Sequence, residues 1–243
     1  MAGAYYPKIV TDGLVLCLDA ASRKSYPGSG TAWNDLSGNG NSATLSGGST
    51  FTASKGGGLT FDGTSGVGTV SDSATRITNY NFSLEFVFNF NGNNYTNAPL
   101  VCKRNPGNPY NQYCASINNG DPYGGGTGKV LIMFLRDDGN TTQITSSDRS
   151  LTYTLTNASS YHCIVTNSIS RAQMWVNGSL VATSTATLVS GNFSVPGQNF
   201  KIANNNSTLY LGDTIHLVRL YNKTLGDAEV SQNFNATRGR FGI

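Results

Sequence analysis

The sequence predicts an all-β sandwich, and three observations predict it. The first is the missing charge: 12% of the 243 residues are charged, about half the roughly 25% of an ordinary soluble domain. Only two glutamates occur, Glu85 and Glu229, so the chain lacks the Glu, Lys, Leu and Ala stock from which stable helices are made. The second is what replaces the charge. Gly, Asn, Ser and Thr number 29, 27, 26 and 26, residues that favour turns and caps, with Thr also at home in strands. The third is punctuation. Pro27-Gly28, Ser37-Gly38-Asn39-Gly40, Asp62-Gly63, Asn91-Gly92, Asp138-Gly139 and Asn177-Gly178 cut the chain into short runs, the spacing of a sandwich or barrel. All-α and parallel α/β folds are excluded on these grounds.

The runs justify themselves in order. Leu59 and Phe61 alternate with Thr60 and Asp62. In 82–90 the positions Phe82, Leu84, Phe86, Phe88 and Phe90 share one parity, and Ser83, Glu85 and Asn89 share the other with Val87 as the exception; this predicts a half-buried strand. Val130 to Leu135 is apolar throughout and predicts a strand buried on both faces, far too short for the ~20 residues that span a bilayer. Tyr161 to Thr166 is a further strand. Ala172 to Val176 and Leu180 to Thr183 flank Asn177-Gly178, the strongest short hairpin signal. Thr214 to Tyr221 is the last strand. Asp227 to Phe234 is the one helical stretch, with Leu225, Val230 and Phe234 near helical spacing and Thr224 or Asp227 as its cap.

A net charge of +3 without a Lys/Arg run excludes an electrostatic nucleic-acid reader. Residues 1–10 carry no apolar signal segment. The cysteines Cys17, Cys102, Cys114 and Cys163 are expected as reduced core thiols, with a Cys102–Cys114 disulfide across a hairpin as the alternative. Their spacing fits no paired-dithiol zinc site.

The order of segments resembles the laminin G-like, concanavalin A-like jelly rolls. The resembling pieces are Gly13 to Ala20, Trp33-Asn34-Asp35-Leu36-Ser37-Gly38-Asn39-Gly40, Leu59-Thr60-Phe61-Asp62-Gly63, Asn81 to Phe90, Met174-Trp175-Val176-Asn177-Gly178 and Val218 to Leu225. Six pieces in the family's order cover the chain from about Ile9 to its end. The resemblance implies a jelly-roll sandwich of two antiparallel sheets with one short C-terminal helix, in a domain spanning 10–243 behind an arm at 1–9. More narrowly, Ser25-Tyr26-Pro27-Gly28-Ser29-Gly30-Thr31 and the closing Asn235 to Ile243 resemble jelly-roll domains of tailed-phage virion proteins, those of marine and cyanobacterial phages above all. That implies a stand-alone, non-enzymatic virion surface protein, a head decoration or appendage tip. Its partners would be other virion proteins in an oligomeric assembly, and a host-surface glycan. A carbohydrate-binding lectin-like module is the alternative, and a glycosidase a remote one.

The residues argue against chemistry. Glycosidases of this architecture resemble a Glu-x-Asp-x-x-Glu pattern on one strand, because hydrolysis needs two facing carboxylates. Here the two glutamates lie more than a hundred residues apart, and Asp137-Asp138 sits in a turn. His162 and His216, the only histidines, lie on strands without a nucleophile elbow and are expected as structural residues. For binding, the loop from Lys103 to Tyr113 supplies Tyr110, Asn111 and Tyr113, with Tyr123 on a Gly-rich rim and Trp175 on a sheet face. Aromatic faces beside Asn side chains are what sugar sites on loops use. Tyr5 and Tyr6 would form a docking arm. No cofactor is expected. The resemblance implies that a structural calcium is a candidate, with Asp62 and Asp213 as ligands, although His216 stands where the family often has an acidic residue.

Overall fold

A computed structural model describes residues 8–75, 77, 79–93, 95–104, 112–119, 128–136, 149–156, 159–185, 197–205 and 208–243. Sixteen strands are found among them: β1 Leu14–Asp19, β2 Ala32–Trp33, β3 Ala43–Ser46, β4 Ser49–Thr52, β5 Gly58–Phe61, β6 Val67–Val70, β7 Phe82–Phe90, β8 Ala98–Arg104, β9 Gln112–Asn119, β10 Lys129–Arg136, β11 Arg149–Thr154, β12 Ser159–Asn167, β13 Ala172–Val176, β14 Ser179–Ser184, β15 Phe200–Ile202 and β16 Thr214–Tyr221. One α-helix follows, α1 Asp227–Phe241. No helix among the described residues is long and apolar enough to cross a membrane.

The strands form two antiparallel sheets. The first runs β14-β13-β12-β7-β16-β5-β4, with β1 also paired to β16, and the second runs β11-β10-β9-β8-β15-β6-β3-β2. This is the two-layer jelly-roll sandwich expected. Between the layers Phe82 of the first sheet lies 5.5 Å from Tyr113 of the second, and within the sheets Tyr113 lies 5.9 Å from Phe200 and Phe88 5.4 Å from Tyr161. Trp33 and the phenylalanines of β7 are fully buried here, the large apolar payload that a low-charge chain needs to hold itself together.

Two segments that carry the resemblance are carboxylate-knotted turns. Asp35 accepts the backbone N–H groups of Cys17 (2.8 Å), Ser37 (2.9 Å) and Asn41 (3.0 Å), tying β1 to the turn after β2. Asp62 accepts the N–H groups of Thr64, Ser65 and Gly66 and both neighbouring hydroxyls, which holds its carboxyl well below the ordinary range.

Several strands coincide with the periodicity, among them β16 to the residue. The Asn177-Gly178 hairpin joins β13 to β14 with both turn residues at positive φ (49° and 79°), as the two-residue primed turn requires. Its glycine has a second reason: a Cβ at Gly178 would come within 2.5 Å of the Phe234 ring on α1. In β10, Leu131, Met133 and Leu135 enter the inter-sheet core, and Val130 and Ile132 are buried outside it.

Three expectations are corrected. The strand β7 is not half-buried, because α1 packs over its polar face: Ser83, Glu85 and Val87 are all buried, and Val87 packs with Leu217 and Phe241. The helix runs seven residues beyond Phe234 and is capped by neither Thr224 nor Asp227. Gly226 is its N-cap, and Glu229 Oε2 accepts the Gly226 N–H at 3.0 Å. The helix extends because Val230, Asn233, Thr237 and Phe241 are buried against the sheet, a stripe half polar and so invisible to apolar periodicity. Finally, Cys102 and Cys114 form a disulfide directly across β8 and β9, while Cys17 and Cys163 are buried free thiols that burial pushes up in pKa.

Candidate functional site

The sheet face beneath α1 holds a dense cluster of ionisable groups. Register sets Arg219 (β16) opposite Glu85 (β7), with His162 (β12) diagonal to Glu85, opposite Val87. Glu85 Oε1 is 2.6 Å from Arg219 Nη1 and 2.9 Å from His162 Nε2, and Glu85 Oε2 accepts from Asn233 Nδ2 of α1 at 2.8 Å. Burial pushes the Glu85 pKa up, but Arg219, His162 and Asn233 together hold it below its ordinary value. Asn233 also donates to the Tyr221 hydroxyl and accepts the Val10 N–H. The cluster is a polar staple: every member is buried, so no substrate reaches it. His216 is likewise structural, its Nδ1 2.7 Å from the Gly57 carbonyl oxygen and its ring against Phe241.

Of the residues expected to bind ligand, Tyr113 and Trp175 lie among the described residues. Tyr113 is 0% exposed, its ring in the inter-sheet core and its hydroxyl donating to the Thr75 carbonyl at 2.5 Å; as the second residue of β9 it belongs to the strand and not to the loop before it. Trp175 does have the parity opposite to Met174, yet its face is not open. The half-buried indole packs on the cluster of Val10, Leu14, Ile164 and Val230 beside α1. Tyr110, Asn111, Tyr123, Tyr5 and Tyr6 lie outside the described residues. The first described residues are tied down: the Lys8 carbonyl accepts from Gln232 and Ile9 packs on the same cluster.

The two carboxylates expected as calcium ligands both accept from the protein's own backbone. The Asp62 oxygens are taken by its own turn. Asp213 is buried, with Oδ1 accepting the Asn91 N–H at 3.1 Å and burial raising its pKa to about 6. Among the described residues no three His, Cys, Asp or Glu side chains gather.

A cleft that sequence reasoning missed opens instead beside edge strand β4. It encloses about 200 Å³ between the segment after β1, with Ala20, Ala21, Arg23, Tyr26, Pro27 and Gly28, and the end of edge strand β4, with Phe51, Ala53 and Gly56. The first wall is rigid. Ser25 Oγ donates to the Asn34 carbonyl and accepts the Asp19 N–H, Tyr26 N bonds back to the Ser22 carbonyl, and the Tyr26 hydroxyl donates to the Gly30 carbonyl. The second wall is pressed against the first at Gly57 (φ 137°), where a Cβ would fall 2.7 Å from Ala21 Cα. Tyr26 is nearly buried at 6% exposure and Phe51 is 39% exposed, their centroids 5.8 Å apart. The only sequence signal was a lone Phe in the Ser/Thr-rich stretch 49–54, too short to show a period.

The chain is a two-sheet jelly roll with a cleft between the segment after β1 and the end of β4. The family model of the laminin G type, described as the concanavalin A-like lectin/glucanases superfamily, matches residues 61–231. The chain belongs to that family. No curated protein matches it in sequence. Solved structures share the fold at low identity. The binding domain of Paraclostridial Mosquitocidal Protein 1 is similar at a TM-score of 0.67 and 14% identity, over 93% of this chain and 52% of that one. Domain 4 of AbnA, an extracellular arabinanase from Geobacillus stearothermophilus solved with arabinotriose, is similar at 0.63 and 11%, over 90% and 97%. The binding domain of botulinum neurotoxin DC, solved in complex with SialylT, is similar at 0.65 and 14%, over 93% and 52%. The chain spans about half the length of the toxin domains it matches.

Proposed function

We propose that this chain is a non-enzymatic recognition module that binds a saccharide, with the Tyr26–Phe51 cleft as its site. The carrying observation is Phe51, an aromatic ring left substantially exposed over a rigid, mostly apolar cleft. A ring face of this kind stacks on the C–H face of a sugar. The cleft is smaller than the roughly 300–1,000 Å³ of a drug-sized pocket, so it suits one sugar ring. The burial of Glu85, His162 and Arg219 supports a binding role over catalysis, and so does the kind of domain among the similar structures. A glycan array tests the reading: the wild type binds one glycan class, and Phe51→Ala weakens that binding about tenfold or more, the value of one lost aromatic anchor, while the chain stays folded. A blank array with folded protein overturns it.

The setting we propose is the surface of a phage particle, held there by other virion proteins. The resemblance of 25–31 and 235–243 to virion jelly rolls supports it. Mass spectrometry of purified particles should find the chain at a fixed copy number, and its absence from them contradicts the setting.

A further inference from the structure

We infer that the Tyr26–Phe51 cleft selects a saccharide ring bearing a carboxylate, with Arg23 as the residue that reads the charge; the inference rests on the proposed saccharide site. Arg23 lines the cleft and is exposed. Among the described residues its guanidinium has no hydrogen-bond or ion-pair partner. The acidic residue nearest to it in the chain, Asp19, cannot neutralise it, because both Asp19 oxygens take Nη1 of Arg240 at 2.8 Å and Oδ1 also takes the Ala21 N–H. The flank adds to the positive field. Lys24 is exposed beside Arg23, and the Lys55 ammonium, next to Gly56 of the second wall, contacts the neutral Ser160 hydroxyl and Phe241 carbonyl.

A free guanidinium at the rim of an aromatic cleft pairs two recognition elements. Its planar fork matches a carboxylate through two parallel N–H···O bonds, which an ammonium cannot do. Phe51 meanwhile covers the apolar face of the ring that carries the carboxylate. A neutral sugar would use the aromatic wall alone and leave the guanidinium in water.

Calorimetric titration with methyl glycosides tests this, using a sialoside, a glucuronide, a galacturonide, neutral galactose and arabinose, and a sulfated galactose. The wild type should bind at least one carboxylated glycoside about tenfold more tightly than the neutral ones, and the sialoside and uronoside arms tell which source it takes. Arg23→Gln should erase that preference, Arg23→Lys should restore part of it, and Phe51→Ala should weaken carboxylated and neutral sugars alike. Equal binding of neutral sugars with Arg23→Gln silent overturns the charge selection and leaves the saccharide module standing. Preference for the sulfated sugar also overturns it. No binding of any glycoside by folded protein overturns both.

Discussion

Glu85 keeps its charge out of water only because Arg219, His162 and Asn233 meet it from three elements. Removing one partner strands the other. Arg219→Met should cost about 3–5 kcal/mol, whereas replacing Glu85 and Arg219 together by apolar residues of similar volume should cost much less; urea denaturation of the single and double variants checks this. Because the fold holds the Glu85 pKa below its ordinary 4.5, its contribution is present above that pH and lost as pH falls through the lower folded value. Asp213 has the opposite sign. Its folded pKa, raised to about 6 from 3.8, means that the folded state holds the proton more tightly, so stability falls as pH climbs from about 4 to about 6 and the penalty stays above that. Asp213→Asn removes the charge and keeps an acceptor for Asn91. It should raise Tm by about 2–4 °C at about pH 8, equivalent to about 1 kcal/mol in a chain of this size, and change little at about pH 4. A calorimetric melt at both pH values decides; a fall at both contradicts the sign. The sequence showed that Glu85 had no second acid near it, but its partners lie 77, 134 and 148 residues away, beyond any local pattern.

At the scale of elements, legibility followed the range of the forces. Strand β7 was readable on its core side, where Phe82, Leu84, Phe86, Phe88 and Phe90 alternate, because period-2 burial is written locally. Its other face was misread as open because the cover, α1, arrives from the far end of the chain. The polar half of the α1 stripe hid its last two turns for the same reason: Asn233 and Thr237 are buried by hydrogen bonding, to Glu85 and to the Asn233 carbonyl, and hydropathy does not report that. The disulfide was visible only as an alternative, since spacing alone cannot tell facing thiols from neighbouring ones. Cys102 and Cys114 enclose a short stretch, with a separation of 12. Reducing the bond, or substituting both residues by Ser, should cost about 3 kcal/mol through the freedom returned to the unfolded chain. Thermal melts with and without reductant read it, and the double-Ser variant should be indifferent to reductant.

At the scale of the whole molecule, the low charge becomes intelligible. Most polar surface is built from Asn, Ser, Thr and Gly turns, and several of the charged groups are consumed internally: Glu85 by Arg219, Lys103 by Asp72 at 2.7 Å, Asp19 by Arg240. The two-sheet fold was therefore legible from composition, turns and alternation, while the cleft was not. It is made where residues 20–28 meet residues 51–56, and neither segment carries a motif. We propose that this meeting point is the binding surface. Its most direct test is to follow backbone amide resonances of the isotope-labelled chain while titrating the saccharide that binds best. Shifts should concentrate in residues 20–28 and 51–56 and be abolished by Phe51→Ala. Shifts clustered elsewhere on the sandwich, with these two segments unmoved, would contradict it.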